Sequence, residues 1–482
     1  MLSIFRLFGN YGIPNVHHQR RDAHWYLGRF YFACVALVIG CGYWLCSRFT
    51  TTLLYFPFRG EVLSNGTNTF KPTVLLVSFD GFRADYLYRN LTPTLFNISQ
   101  NGIQAPYLIP SFPTMTFPNH YTLVTGDYPE VHGIVSNNFH DGSSDKDFVN
   151  TRPDCNHDPE WWSHSEPIWI NAERNGIRSA VHMWPGSEVE NNGLKPTFYT
   201  PYNGSMGLDR KFQDVINWLD LPDETRPQLL LLYIPHIDSV GHAFGPESFE
   251  LNSTLRIVDD SLSTFLHEVY QKRNLKEILN IVFVSDHGMA PTSNSRLIWM
   301  DDVMNISQVQ YRDGWPLAGY RGFDNEDDIG IATDLRKNAP SNGYPWSYYS
   351  RETMLERWHY SANDRIAPNW IVPQPGWSVV SSLDHSPEID YDPKGVHGYD
   401  NRSPLMRALF VASGPSFHKL HPRQQLSPFA NVEIYNLLCR ILSIQPKINN
   451  GSLPGALPIA QGKYSDIGSL LLSDVLDAYS RM

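Results

Sequence analysis

Three runs of the chain are apolar at nearly every position: Thr73–Phe79 reads TVLLVSF, Leu229–Ile234 reads LLLLYI and Leu279–Val284 reads LNIVFV. They lack the in-and-out alternation of a half-exposed strand, so they predict central strands covered on both faces. A further strand is expected at Ala408–Ala412. Ser248–Arg273 places Leu255, Val258, Leu262, Phe265 and Val269 at three- and four-residue steps, the period of an amphipathic helix. A second helix is expected near Asn431–Leu442. Strands alternating with helices predict an α/β fold with a mainly parallel central sheet flanked by helices. Residues 300–395 lose the regular period and are rich in Pro, Trp, Tyr and Asp, which predicts an inserted cap region.

One apolar stretch is of another kind. Arg29 and Arg48 enclose 18 uncharged residues, FYFACVALVIGCGYWLCS, apolar on all faces. That is near the lower limit for crossing a bilayer and predicts a transmembrane helix over residues 30–47. Arg6, Arg20, Arg21 and Arg29 precede it against Asp22 alone, which favours a cytosolic segment over residues 1–29 and a single-pass type II orientation. The long lead and the bulky Tyr43-Trp44-Leu45 favour an uncleaved signal anchor over a cleaved signal peptide. A stalk over residues 48–70 would then lead to a catalytic domain over 71–445 and a C-terminal extension over 446–482. Eight Asn-x-Ser/Thr sequons begin at Asn65, Asn90, Asn97, Asn203, Asn252, Asn305, Asn401 and Asn450, all beyond the span. They are expected to carry glycans on an extracellular or lumenal catalytic domain. Cys155 and Cys439, outside the span, either form one disulfide or remain two buried thiols.

With 482 residues, 42% of them hydrophobic, the chain can bury a large core. A formal charge of −11 argues against a general binder of nucleic-acid backbone, and no stable nucleic-acid partner is expected. A small phosphate ester held by a metal stays open.

The chemistry gathers where the apolar runs end. Thr73–Phe79 stops at Asp80-Gly81; Leu229–Ile234 opens into Pro235–His242, with Asp238 and His242 four apart; Leu279–Val284 stops at Ser285-Asp286-His287-Gly288. His397 lies in Gly395-Val396-His397-Gly398 before the last strand. Open α/β sheets bind ligands at the carboxyl ends of their strands, so one rim would be lined with oxygen and nitrogen donors. Asp and His without Cys suit Zn²⁺; Mn²⁺ or Fe fit less well, and imidazoles disfavour Mg²⁺. Thr116 stands before an apolar run able to start a helix, where unpaired N–H groups favour developing negative charge. It reads either as a nucleophile or as a helix cap.

The segments PTMTFPNHYTLVTG, IDSVGHAFGP, VSDHGM and KGVHGYDN, in that order, resemble the motifs of the ectonucleotide pyrophosphatase/phosphodiesterase family of the alkaline phosphatase superfamily. The resemblance covers about residues 72–445. It implies an alkaline-phosphatase-like fold and two Zn²⁺ per subunit, one held by Asp238, His242 and His397 and the other by Asp80, Thr116, Asp286 and His287. It makes Thr116, rather than Thr114, the nucleophile, because Thr116 directly precedes Phe117-Pro118-Asn119-His120. Asn137 falls on the position that hydrogen-bonds a phosphate oxygen, aided by the Phe117 N–H. Phe117 and Tyr202 match an aromatic pair that sandwiches a nucleobase, with Trp184 beside them. Met115 departs from the lysine of some nucleotide-preferring members, and neither the cysteine-rich modules nor the nuclease-like domain of the larger members is seen. The function implied is hydrolysis of NTPs to NMP and pyrophosphate, and of nucleotide diesters, through a nucleotidyl-threonine. A phosphodiesterase acting on choline-lipid head groups and an inactive binding module are the alternatives.

Overall fold

A computed structural model of the chain describes residues 53–55, 60–417, 425–460, 464 and 466–482. The span expected over residues 30–47 lies outside these. Among the described residues, no helix is long and apolar enough to cross a membrane.

The elements that position the site are, in chain order, strands β1 (Leu53–Tyr55), β2 (Thr73–Phe79), β3 (Ile103–Gln104), β4 (Ser179–His182), β5 (Phe198–Thr200), β6 (Leu229–Ile234) and β7 (Leu279–Val284). They continue with β8 (Val309–Asp313), β9 (Ala318–Gly322), β10 (Trp346–Ser350), β11 (Asn369–Pro373), β12 (Phe410–Ser413) and β13 (Ala456–Pro458). The helices are α1 (Thr116–Thr125), α2 (Leu208–Leu219), α3 (His236–Phe244), α4 (Phe249–Leu266), α5 (Asn325–Asn338), α6 (Glu433–Leu442) and α7 (Ile467–Ser480).

The central sheet has the order β5-β4-β6-β2-β7-β12-β3. Its first five strands are parallel, whereas β12 pairs antiparallel with both β7 and β3. The fold is therefore the α/β class with a mainly parallel sheet. All residues of β2, β6 and β7 are buried, as strands covered on both faces must be. Their register sets Phe79 beside Ile234 and Ser78 beside Val284, so all three end at one edge of the sheet. The acids that follow these strands consequently emerge together. Helices pack on both faces: α1 and α6 contribute to one apolar layer, α2 and α4 to the other.

The amphipathic stretch Ser248–Arg273 forms α4, capped by the Ser248 hydroxyl accepting from Leu251 N–H, and continues as a π-helical turn over His267–Lys272. Within the expected cap, an antiparallel sheet of order β8-β9-β11-β10 packs with α5 around its own apolar cluster, including Tyr320, Ile331, Leu335, Trp346 and Ile371. Leu53–Met482 form one compact unit. β1, inside the expected stalk, pairs antiparallel with β13, inside the expected extension. Cys155 and Cys439 are both free thiols, but only Cys439 is buried; Cys155 is partly exposed.

The eight sequons are not equivalent. Asn401 is buried, its amide donating to Pro110 O and accepting from Arg357, so it is closed to glycosylation in the folded chain. The other seven acceptor asparagines are at least partly exposed.

Candidate active site

Beyond the common edge of β2, β6 and β7 lies a cavity of about 390 Å³. Asp80 sits at its floor directly after β2. Gly81 takes φ +69°, and a Cβ there would come within 3.0 Å of Asp238; only glycine allows both the turn and the close approach of α3. Asp238 and His242 occupy successive turns of α3, one above the other. Asp286 and His287 lie in the turn after β7, where adjacent residues can face one point as they could not within a strand.

These side chains converge. His287 Nε2 is 2.9 Å from Asp286 Oδ2, 3.5 Å from Asp80 Oδ1 and 3.3 Å from Thr116 Oγ1. His242 Nε2 is 3.1 Å from His397 Nε2 and 3.4 Å from Asp238 Oδ2; His397 Nε2 is 3.5 Å from Asp238 Oδ1. The rings of His287 and His397 stack with centroids 3.5 Å apart, which joins the two halves. All seven residues singled out in the sequence as metal ligands are thus brought together.

Three observations fit this cluster to metal cations. Asp80 Oδ1, Asp238 Oδ1 and Asp286 Oδ2 are buried yet accept no hydrogen bond among the described residues, a costly state unless a cation meets them. Each histidine directs Nε2 inward while Nδ1 faces a backbone carbonyl: Gly395 O for His242, Gly288 O for His287 and Thr114 O for His397. That arrangement fixes ring and tautomer for ligation. Burial raises the Asp80 carboxyl well above the usual range, and the neighbouring Asp286 and Asp238 add to it; burial with His287 and His242 holds His397 well below its ordinary value. Crowded carboxylates and imidazoles of this kind are reconciled by bound positive charge.

Thr116 opens α1 rather than capping it. Met115 is the N-cap, in extended conformation and without a side-chain cap bond, and the Thr116 hydroxyl turns to His287. Thr114 serves the backbone instead. Its hydroxyl donates to Tyr399 O and accepts from Gly398 N–H, holding the segment that carries His397. One turn after Thr116, His120 contacts Thr116 O, Ser78 Oγ and, at 3.3 Å, Asp286 Oδ2. Tyr233, near the end of β6, donates its hydroxyl to Asp80 Oδ2 and lines the cavity. Sequence reasoning missed both His120 and Tyr233. The available signals were a polar-tipped residue near the end of an apolar strand and a histidine one helical turn from the threonine.

Asn137, Phe117, Trp184 and Tyr202 all line the same cavity. The Phe117 N–H, expected to meet a phosphoryl oxygen, instead donates to Asn137 Oδ1 at 2.9 Å. The sequence could not show this, because the partner arrives from a loop twenty residues on. Its consequence is that the Asn137 oxygen is committed and the amide NH₂ is the group left to act as donor. Trp184 is buried and held by its indole N–H on His120 O. Phe117 packs edge-on against Phe148, while Tyr202 is 58% exposed and tethered by its backbone N–H to Glu188. Glu188 and His157, also unread in the sequence, line the outer part of the cavity.

Residues 74–400 match the family model described as type I phosphodiesterase / nucleotide pyrophosphatase. The chain is 53% identical over 433 residues to an uncharacterised pyrophosphatase/phosphodiesterase of Schizosaccharomyces pombe, covering 89% of this chain and 88% of that one. It is 36% identical over 391 residues to ectonucleotide pyrophosphatase/phosphodiesterase family member 3 of Bos taurus, spanning 79% of this chain and 43% of the relative. Among solved structures, murine ectonucleotide pyrophosphatase/phosphodiesterase 5, as an inactive threonine-to-alanine variant in complex with AMP, superposes with a TM-score of 0.71 at 33% identity. It covers 79% of this chain and 97% of that one. On these matches, and on the rim of ligands that the sheet assembles, the chain belongs to the type I phosphodiesterase / nucleotide pyrophosphatase family and is a hydrolase.

Proposed function

We propose that the enzyme cleaves NTPs to NMP and pyrophosphate, and splits nucleotide diesters, with Thr116 as the nucleophile. The observation that carries this reading is the Thr116 hydroxyl at the start of α1, 3.3 Å from His287 Nε2, beside three buried carboxylate oxygens that accept no hydrogen bond among the described residues. Asp238, His242 and His397 would hold one Zn²⁺, and Asp80, Thr116, Asp286 and His287 a second. Bound there, zinc supplies Lewis-acid stabilisation of phosphoryl oxygens and lowers the pKa of a coordinated hydroxyl.

The chain's own groups account for the rest. Thr116 Oγ1 attacks phosphorus as its bond to the leaving oxygen breaks, leaving a nucleotidyl-threonine. Water then attacks the same phosphorus and the threonine hydroxyl is restored. The N-terminus of α1 stabilises negative charge developing on the phosphoryl group. The Asn137 NH₂ donates to a phosphoryl oxygen while the Phe117 N–H holds the amide in place. The base lies between Phe117 and Tyr202 against Trp184. The AMP complex of the murine relative and its inactive threonine variant support both the nucleotide pocket and the nucleophile. The same proposal places the catalytic unit outside the cytosol behind a signal anchor over residues 30–47.

The test combines zinc analysis with two chromogenic esters. Close to two zinc equivalents and preferred turnover of p-nitrophenyl-TMP are expected. Preferred turnover of p-nitrophenylphosphorylcholine would replace the nucleotide reading with the lipid-head-group one.

A further inference from the structure

The guanidinium of Arg83, three residues beyond Asp80, is wholly buried, and each of its five N–H groups meets an acceptor. Nε and one Nη2 hydrogen go to the two oxygens of Asp85; the other Nη2 hydrogen goes to Glu247 Oε1 at 2.7 Å. Nη1 donates to Met289 O and to Tyr479 Oη, each at 2.8 Å. The Tyr479 hydroxyl passes its own hydrogen to Glu247 Oε1.

Four segments therefore meet at one side chain. Arg83 follows Asp80; Met289 closes the turn that carries Asp286 and His287; Glu247 follows α3, which carries Asp238 and His242; Tyr479 stands near the end of α7. The stem of Arg83 also presses on Gly288, where a Cβ would lie 2.9 Å from Arg83 Cγ and 2.2 Å from Leu405 O. Gly288 O is the carbonyl that faces His287 Nδ1. One turn earlier in α7, Val475 packs in one apolar cluster with Ala290 and with Val396, the neighbour of His397.

We propose that α7, through Tyr479 and Glu247 on Arg83, is a positioning element of the metal centre, setting the separation of three of the segments that deliver its ligands: the turn after β2, helix α3 and the turn after β7. This rests on the metal reading of the site. Tyr479 and Glu247 touch neither substrate nor metal; they act through Arg83 on loop geometry. Losing the Tyr479 hydroxyl leaves one Arg83 N–H without an acceptor and takes one donor from Glu247, which keeps Arg83 and Arg89, so the segments held by Arg83 regain motion and bound metal is released faster. Partners that orient metal ligands directly change metal affinity by about 10–100-fold, so one bond further out about three- to tenfold is expected.

The experiment uses the full chain loaded with zinc and follows metal release into a chromogenic chelator, alongside melting temperature and the kcat and KM for p-nitrophenyl-TMP. Tyr479→Phe and Glu247→Gln are each expected to release zinc about three- to tenfold faster. They should lower kcat while leaving KM near wild type, because the base pocket is untouched. Asp466→Ala is the comparison: it loosens the same helix by removing its N-cap, at the end of α7 away from Tyr479, and should release zinc as wild type does. Wild-type release from both Tyr479→Phe and Glu247→Gln overturns the proposal, as does equal acceleration in Asp466→Ala. A wild-type chain that binds no zinc would instead refute the metal reading itself.

Discussion

Removing the Tyr202 ring separates recognition of the base from the chemistry. Tyr202 lines the cavity, yet its ring is 58% exposed and 6.4 Å from Tyr233, so little of the core depends on it. Its backbone N–H stays tethered to Glu188 Oε1 at 2.8 Å in Tyr202→Ala, which preserves the loop. Stacking on an aromatic side chain contributes about 1–3 kcal/mol per base. A half-exposed face belongs in the lower part of that range, and about 1.4 kcal/mol is a tenfold loss of kcat/KM. The assay compares p-nitrophenyl-TMP with methyl p-nitrophenyl phosphate, a diester with no base. The nucleotide is expected to lose about tenfold in kcat/KM and the baseless ester less than about twofold. Equal losses at an unchanged melting temperature would refute a base held by Tyr202 and favour the lipid-head-group substrate.

Thr116→Ala should lower kcat by more than about 10³-fold, since the nucleophile is gone, while retaining most of the zinc because carboxylate and imidazole ligands remain; metal analysis with steady-state kinetics checks both. His397→Ala should lose zinc as well as activity, and two full metal equivalents in that variant would contradict the ligand assignment. Burial pushes the Asp313 carboxyl up to about 7 against the opposing Arg321 and the His140 N–H. A folded state that keeps its proton to higher pH than the unfolded chain is most favoured below the unfolded pKa and loses that stability as pH rises toward 7. Asp313→Asn should accordingly raise the melting temperature at pH 8, and the gain should shrink as pH falls toward 4; a pH-independent gain would contradict the assignment. Peptide mapping of glycosylated protein should find Asn401 unmodified even where exposed sequons carry glycans.

The parts of this architecture that announce themselves in the sequence are those in which one residue type suffices. TVLLVSF, LLLLYI and LNIVFV can bury both faces only as central strands, and an acid after each becomes a ligand once the strands align. The strand β4, SAVH, is too short and mixed to signal itself, and the reversed direction of β12 depends on a connection that no local pattern encodes. The cap sheet is hidden because β8 and β10 are mostly half-exposed, while β9 and the buried β11 are short and carry glycine, aromatic and proline residues that also suit loops. In the site, Asp80, Asp238 and Asp286 could be read because they follow strands. Tyr233 and His120 carried only weak local signals and Arg83 none, since each acquires its role from partners distant in sequence: Asp80 for Tyr233, Asp286 for His120, Tyr479 and Glu247 for Arg83. The commitment of the Phe117 N–H to Asn137 is hidden for the same reason.

The central claim is that hydrolysis proceeds through an ester on Thr116, and the stereochemical course at phosphorus tests it directly. One diastereomer of a p-nitrophenyl nucleoside phosphorothioate is hydrolysed in ¹⁸O-water, and the configuration of the product is determined. Two successive in-line displacements, first by Thr116 and then by water, each invert phosphorus, so net retention is predicted. Net inversion would mean that water attacks the substrate directly and that Thr116 forms no covalent intermediate.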